Sequence, residues 1–194
     1  MQFISEFQVD HAICDSIIEL HNVATEKGLV SRGKLGVHGD YKVDTSLKDS
    51  YDLGLIAVPD DLAIKYRIPE FYQLLKKHFD EYVEQHPILQ RLGALELGES
   101  PIIQHYKPGG GFKFEHFERA DIMTSRRALV WMMYLNDVTD KGGTHFVYQN
   151  FTATPQKGKL LIWPTDFTHT HKGVVSPTQD KYIITGWLSF VLEE

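Results

Sequence analysis

The length, composition and charge of the chain exclude several classes of protein. Its 194 residues fit one domain, and a hydrophobic share of 42% is enough for a sizeable core. The formal charge of −6 at pH 7, without a strongly basic segment, argues against a protein that neutralises the phosphates of nucleic acid. Cys14 is the only cysteine, so an intramolecular disulfide and a multi-cysteine metal site are excluded.

The N-terminal segment and the hydropathy pattern predict a cytoplasmic protein. The first ten residues, MQFISEFQVD, lack the basic start and the long apolar run of a signal peptide. No stretch approaches the roughly 18 apolar residues of a membrane span. We therefore expect neither a membrane nor a nucleic acid among the partners.

Two amphipathic helices are predicted in the first half of the chain. From Asp10 to Gly28 apolar residues recur at three- and four-residue spacing, with Asp10 as a cap and Gly28 as a stop. A second apolar stripe predicts a helix from about Pro69 to His86. Between them, residues 30–60 mix glycine and charged residues with short apolar pieces such as LGLIAV, which predicts edge strands and a mobile loop.

The second half of the chain predicts short strands. The candidates are IIQHY, FKFEHF, ALVWMMYL, THFVY, KLLIWP, HKGVV and YIITGWLSFV. Such strands, with turns between them, are typical of a barrel or a double-sheet jelly roll. The sequence therefore predicts an α+β fold in a single domain, residues 1–194. Residues 1–95 would supply helices packed on one sheet together with edge strands, and residues 96–194 would form the β-core.

Potential metal ligands stand in two segments. His116 and Glu118, in FKFEHFER, are two residues apart, so on a strand their side chains emerge on one face. This pair alone is weak evidence, because a solvated strand face is the ordinary explanation. A third candidate is in THTHKGVV, which contains His169 and His171. Two imidazoles and one carboxylate on one side of an ion form the facial triad of non-haem iron(II) oxygenases.

Four segments between Gln104 and Trp187 add a wider signal. They are QHYKPGGGFKFEHFE, RALVWMMYLNDVTDKGGTHF, PQKGKLLIWP and HTHKGVVSPTQDKYIITGW. In this order they resemble the double-stranded β-helix domain of the prolyl 4-hydroxylase-like 2-oxoglutarate and iron(II) oxygenases. That family places a basic residue ten positions after its distal histidine, and Lys181 lies ten after His171. The spacing favours His171 over His169 as the distal ligand.

The resemblance implies an Fe(II)- and 2-oxoglutarate-dependent dioxygenase with a double-stranded β-helix core. The implied ligands of the iron are His116, Glu118 and His171. Lys181 would bind the distal carboxylate of 2-oxoglutarate. The resemblance also implies, on weaker grounds, that Tyr106 and Thr144 donate hydrogen bonds to the same molecule. Dioxygen is the implied co-reactant and ascorbate the expected reductant. The expected reaction is hydroxylation of an unactivated C–H bond, with a prolyl residue in a peptide or protein as the favoured substrate and a small molecule as the alternative.

One position departs from the pattern of this family. The usual second ligand there is Asp, whereas this chain has Glu118. The extra methylene changes the reach of the side chain and leaves the ligand charge unchanged, so we interpret it as a tolerated variant. Related halogenases have Ala or Gly at this position, which frees a site for halide. Glu118 therefore favours oxygen chemistry over halogenation.

Other conspicuous residues are predicted to be structural. Core packing is expected for Tyr134, Trp131, Trp163 and Trp187. Arg126 and Arg127 could reach the substrate or lie at a strand end outside the site, and the strand end is favoured. An ordinary polar environment is expected for His105 and His145. The glycines at 109–111 lack the strand-to-helix context of a nucleotide-binding loop and predict a tight turn before the ligand segment.

Two other functions fit parts of the same pattern. Two histidines and one glutamate also form a hydrolytic zinc site, although the sequence has no HExxH helix and Lys181 would then lack a role. A jelly-roll binding module without a metal would leave the three ligands and the lysine to chance. For an oxygenase, residues 30–60 and 119–126 are the expected determinants of substrate choice.

Overall fold

The computed structural model describes residues 3–37 and 40–191. Within these ranges the α-helices are α1 (His11–Glu26), α2 (Asp60–Lys65) and α3 (Ile68–Gln85). Short 3₁₀ turns are formed by Leu55–Ala57, Pro87–Arg91 and Phe167–His169. No helix in the described ranges is long and apolar enough to cross a membrane. The two predicted helices are confirmed, whereas α2 was not predicted.

Helix α1 begins and ends where its sequence signals stand. The Asp10 carboxylate accepts a hydrogen bond from the backbone N–H of Ala12 at 3.0 Å, which satisfies one of the free donors of the first turn. Gly28 has a φ of 72°, the left-handed conformation that ends many helices. One face of the helix is buried, formed by Ile13, Cys14, Ile17, Leu20, His21 and Ala24.

The strands are short and pair antiparallel. In chain order they are β1 (Ser5–Gln8), β2 (Ser31–Arg32), β3 (Leu35–Val37), β4 (Asp40–Lys42), β5 (Lys48–Asp49), β6 (Tyr51–Gly54), β7 (Leu95–Glu96), β8 (Ile102–Tyr106), β9 (Gly111–Phe112), β10 (Arg127–Tyr134), β11 (Thr144–Phe146), β12 (Phe151–Ala153), β13 (Lys159–Pro164), β14 (His171–Gly173) and β15 (Lys181–Phe190). Three of these strands, β1, β7 and β12, were not predicted from the sequence.

The strands form one large sheet and one small sheet. The order in the large sheet is β1-β13-β10-β15-β8-β6-β2, and β7 pairs with one end of β15. The small sheet has the order β12-β11-β14, and two further ribbons pair β3 with β4 and β5 with β9. Within residues 30–60 the predicted edge strand is confirmed as β2, whereas β6 lies between β8 and β2. Positions 38 and 39 of the mobile loop predicted in the same range lie outside the described residues.

The large sheet buries both of its faces. Along β10, Trp131 and Met133 belong to a core shared with α1 and α3, whereas Val130, Met132 and Tyr134 belong to a second core shared with the small sheet. This alternation is the two-residue period of a strand covered on both sides. The α+β fold, with N-terminal helices on one face and a double-sheet β-core on the other, is therefore confirmed.

The predicted strand FKFEHF is only partly formed. Regular pairing covers Gly111–Phe112, and beyond it His116 makes a single bridge with His171. The backbone changes partners along this segment: the N–H of Lys113 donates to the carbonyl of Leu47, and that of Glu118 donates to the carbonyl of Thr165. The alternation of apolar residues suggested one continuous strand, but no single neighbouring strand accepts all of its hydrogen bonds.

The packing of α3 on the large sheet gives a first test. We expect Phe71→Ala to lower the free energy of unfolding by about 3–5 kcal/mol, because Phe71 is fully buried and its ring lies 5.5 Å from that of Trp131. Ile64 on α2 is 68% exposed, so Ile64→Ala should change stability by less than about 0.5 kcal/mol. Urea unfolding measures both values. Equal losses in the two variants would contradict this packing.

Candidate metal centre

Two distant segments of the chain are joined by a pair of backbone hydrogen bonds. The N–H of His116 donates to the carbonyl of His171 at 3.0 Å, and the N–H of His171 donates to the carbonyl of His116 at 2.9 Å. Next to this bridge, the N–H of Glu118 donates to the carbonyl of Thr165 at 3.0 Å. The Arg119 guanidinium also pairs with the Asp166 carboxylate. The segment around residues 116–119 is thereby fixed against that around residues 165–171.

The side chains of His116, Glu118 and His171 converge at this bridge. Their ligand atoms all lie within 4.8 Å of one another. Oε1 of Glu118 is 3.4 Å from Nε2 of His116 and 3.5 Å from Nε2 of His171. The predicted convergence of these three residues is therefore observed, although the element that carries His116 and Glu118 is not a regular strand.

Hydrogen bonds at the far side of each imidazole select the nitrogen that faces the cluster. Nδ1 of His116 donates to the carbonyl of Phe114, and Nδ1 of His171 donates to the carbonyl of His169, both at 2.9 Å. In the neutral ring this leaves the Nε2 lone pair free for a metal. Three electron-pair donors then face one another, so the donor set fits a bound cation.

Aromatic rings hold both imidazoles in place. Phe112 stacks on His116 with 3.8 Å between the ring centroids and 10° between the planes. Trp163 meets His171 edge-on at 5.2 Å, and Phe146 lies 5.6 Å from the same ring. These contacts restrict the rotation of the two imidazoles and reduce the access of water.

The electrostatics of the cluster favour the forms that bind a metal. Burial, the largest influence on Glu118, raises the pKa of its carboxyl, but the imidazoles of His116 and His171 outweigh burial and hold that pKa well below its usual range. Burial lowers the pKa of His171, and the neighbouring His116 lowers it further. Glu118 is therefore ionised and His171 is biased towards the neutral ring.

The second oxygen of Glu118 has neighbours of its own. Oε2 accepts a hydrogen bond from the indole N–H of Trp187 at 3.0 Å and lies 3.6 Å from the Arg127 guanidinium. Arg127 begins strand β10, as favoured from the sequence, but it also contacts Glu118, which was not expected. Trp187 likewise does more than pack. Sequence spacing offered no signal for either contact, because the partners come from separate strands of the large sheet.

The cluster opens into a cavity of about 640 Å³. Lys181 lines it together with the three converging side chains, and it is 96% buried, since its exposed fraction is 4%. Its Nζ donates to the carbonyl of Gly142 at 3.1 Å and lies 4.7 Å from the centre of the Tyr106 ring. Burial lowers the pKa of Lys181 to about 8, and within the described ranges no carboxylate pairs with it. The cavity thus holds a buried cation that lacks an anionic partner.

Tyr106 and Thr144 line the same cavity. The Tyr106 hydroxyl donates to the amide oxygen of Gln104 at 2.5 Å, and burial raises its pKa well above the usual range. The Thr144 hydroxyl accepts from Tyr134 at 2.7 Å, which leaves its own hydrogen free to point elsewhere. Tyr134 is in the core, as predicted, and it also orients Thr144. Neither Tyr134 nor Gln104 was predicted to touch the site.

The other histidines of the second half lie outside the cluster. Nδ1 of His169 is 3.0 Å from the Thr168 hydroxyl, and the backbone carbonyl of His169 accepts a hydrogen bond from Nδ1 of His171. His105 pairs with Asp180 at 2.6 Å, and His145 contacts Thr152 at 2.9 Å. The geometry therefore agrees with the choice of His171 over His169.

The predicted turn before the ligand segment is confirmed. Gly109 has a φ of 83°, and the N–H of Gly110 donates to the carbonyl of Lys107 at 2.7 Å. A Cβ atom on Gly110 would lie 2.8 Å from the backbone oxygen of Asp49, so the close approach requires glycine.

The fold and the cluster together define a double-stranded β-helix protein with a two-histidine, one-carboxylate metal site. Residues 101–189 match the sequence model described as the 2OG-Fe(II) oxygenase superfamily. This match covers the β-core of the chain, and the superfamily so described uses Fe(II) and 2-oxoglutarate. This match favours the oxygenase over the zinc hydrolase and the binding module. No curated protein matched the sequence.

Three solved structures with a similar fold are prolyl hydroxylases. The viral collagen prolyl hydroxylase of Paramecium Bursaria Chlorella virus-1, solved with 2OG, has a TM-score of 0.67 and 17% identity over 98% of this chain and 97% of its own. A Pseudomonas putida prolyl-4-hydroxylase has a TM-score of 0.70 and 16% identity over 96% of this chain and 92% of its own. A Trichoplax adhaerens prolyl hydroxylase, solved with a peptide of hypoxia inducible factor, has a TM-score of 0.73 and 15% identity over 97% of this chain and 84% of its own. These likenesses show the fold.

Removal of one imidazole tests the composition of the cluster. We expect His171→Ala to weaken Fe(II) binding by more than about 100-fold. Substitution of a residue that only contacts a ligand typically weakens metal binding by about 10- to 100-fold, and the loss of a ligand should exceed this. His169→Asn is the matched control and should retain the parent affinity, because its carbonyl still accepts from residue 171. Anaerobic calorimetry measures both. If His169→Asn lost Fe(II) binding while His171→Ala retained it, His169 would be the ligand and His171 would not.

Proposed function

We propose that this chain is an Fe(II)- and 2-oxoglutarate-dependent dioxygenase that hydroxylates an unactivated C–H bond, with a prolyl residue in a peptide or protein as its substrate. The observation that carries the proposal is the position of Lys181. A buried ammonium without a carboxylate partner is costly, and here it lines the same cavity as three converging metal ligands. A dicarboxylate bound at the metal would supply the missing anion.

The iron would be held by Nε2 of His116, Nε2 of His171 and Oε1 of Glu118. When bound, it supplies the chemistry by which dioxygen converts 2-oxoglutarate to succinate and carbon dioxide and places one oxygen atom on a substrate carbon. The protein contributes position and exclusion of water. The carbonyls of Phe114 and His169 keep the two imidazoles in the required tautomer.

The cosubstrate would be oriented by residues at the other end of the cavity. The Lys181 ammonium would pair with the far carboxylate of 2-oxoglutarate, and its position over the Tyr106 ring favours the charged form. Thr144 can donate to the same carboxylate, because its hydroxyl oxygen already accepts from Tyr134. Tyr106 can also donate to 2-oxoglutarate if its hydroxyl gives up the hydrogen bond to Gln104.

The side chains at the opening of the cavity favour a peptide as the substrate. It is lined by the large apolar side chains of Tyr41, Phe114 and Met123, which are 70%, 51% and 76% exposed. Exposed apolar groups around a cleft are typical of a binding surface. Two of them, Tyr41 and Met123, lie in the segments predicted to choose the substrate. The three solved structures described above are prolyl hydroxylases, one of them solved with a peptide.

Turnover without added substrate gives the direct test of the oxygenase. Purified protein with Fe(II), 2-oxoglutarate, ascorbate and dioxygen should form succinate slowly, and His116→Ala should abolish it because one ligand is lost. A mass-shift screen of proline-containing peptides should then find the gain of one oxygen atom, against the same peptides with alanine for proline. Failure of the parent protein to bind 2-oxoglutarate in the presence of Fe(II) would refute the function. Hydroxylation of the alanine peptides alone would refute the prolyl assignment.

The pKa of Lys181 predicts how the affinity for 2-oxoglutarate depends on pH. Without an anionic partner this pKa is about 8, and a bound carboxylate would raise it by stabilising the ammonium. Below pH 8 the lysine is already protonated, so the affinity should be flat. Above this value binding must take up a proton, so the affinity should fall by about tenfold per pH unit until the raised pKa is reached.

Lys181→Arg is the matched variant for this titration. A guanidinium remains charged throughout the range, so the decline above pH 8 should disappear even if the overall affinity is lower. Anaerobic calorimetry of the iron-loaded proteins measures both curves. The same decline in Lys181→Arg would assign the pH dependence to another group.

A further inference from the structure

The two carboxylate oxygens of Glu118 have separate sets of neighbours. Oε1 faces the Nε2 atoms of both histidines at 3.4 and 3.5 Å. Oε2 accepts a hydrogen bond from the Trp187 indole at 3.0 Å and lies 3.6 Å from the Arg127 guanidinium. The orientation of the Glu118 carboxylate is therefore restricted by the contacts of its second oxygen.

Arg127 is itself anchored. Its guanidinium makes two hydrogen bonds to the Glu99 carboxylate, at 2.5 and 2.6 Å, and a third to the backbone carbonyl of Glu118 at 3.0 Å. It also lies over the Trp187 ring at 3.8 Å from the ring centre. A planar fork that contacts Glu99, Trp187 and the Glu118 backbone at once has little freedom to move.

This arrangement bears on the coordination number of the metal. A carboxylate can bind through one oxygen or through both, and a second oxygen would occupy a position that a facial triad leaves open. A glutamate also has one more rotatable bond than an aspartate, so its carboxylate has more orientations to restrict. The contacts on Oε2 remove that oxygen from competition for the metal.

We propose that Trp187 and Arg127 are positioning residues that make Glu118 a single-oxygen ligand. Glu99 fixes Arg127 for this purpose. The inference rests on the proposed function, because it assumes that iron binds at the three side chains. It assigns a use to the extra methylene of Glu118: the longer side chain reaches the indole N–H while Oε1 still faces the two histidines.

Substitutions that remove one contact test the proposal. Trp187→Phe deletes the N–H and keeps an aromatic ring, and Arg127→Met deletes the guanidinium. Each should weaken anaerobic Fe(II) binding by about tenfold, as found for partners of metal ligands. Each should also weaken the visible charge-transfer band that Fe(II) and 2-oxoglutarate give when the 2-oxo acid chelates, since a second Glu118 oxygen would displace it.

Matched controls are available for both variants. Trp131→Phe deletes an indole N–H that has no hydrogen-bond partner within the described part of the chain, and Trp131 faces the helices. Arg126→Met removes the neighbouring arginine, whose guanidinium contacts the backbone carbonyl of Phe190. Neither control should change iron affinity or the band. Losses in the controls equal to those in Trp187→Phe and Arg127→Met would overturn the proposal.

A double-mutant cycle separates positioning from a merely structural effect of Trp187. In Glu118→Asp the carboxylate retracts by one methylene and no longer reaches the indole while it binds the metal. Trp187→Phe should therefore lower iron affinity about tenfold in the parent protein and leave it unchanged in Glu118→Asp. Equal effects in both backgrounds would show that Trp187 acts without Glu118 and would overturn the inference. Absence of iron binding by the parent protein would refute the proposed function itself.

Discussion

The site depends on one backbone contact, the reciprocal pair of hydrogen bonds between His116 and His171. Each residue donates its N–H to the carbonyl of the other, which places two segments from different parts of the chain side by side. The imidazoles then lie close enough for Glu118 to face both, and the ring contacts from Phe112 and Trp163 fix their planes. The three side chains thus converge because their backbones are hydrogen-bonded.

The large sheet provides the rigid wall against which this bridge is set. Along β15, alternate residues line the cavity: Lys181, Ile183, Thr185 and Trp187. One end of this row supplies the buried ammonium and the other supplies the donor to Glu118. The intervening residue Ile184 is buried in the core with the helices, so the strand is held from behind. A single strand therefore connects the part of the cavity assigned to 2-oxoglutarate with the orientation of a metal ligand.

The sequence predicted those parts of the molecule that depend on local pattern. Helical spacing, the Asp10 cap and the spacing of His116, Glu118, His171 and Lys181 are all visible in the chain itself. The continuous strand over FKFEHF was wrong, because its alternation of apolar residues does not reveal that its hydrogen bonds go to three different partners. The roles of Arg127 and Trp187 were missed for a related reason: they contact Glu118 only after β10 and β15 pair, and neither residue type carries a spacing signal.

The central claim is that one iron ion is held by His116, Glu118 and His171. Anomalous diffraction at the iron absorption edge, from crystals grown anaerobically with Fe(II) and 2-oxoglutarate, tests it most directly. The account predicts one strong peak bounded by the two Nε2 atoms and a single oxygen of Glu118, with the 2-oxo acid between that peak and Lys181. A peak that places the iron at His169, or no peak at these three side chains in iron-loaded protein, would contradict this assignment.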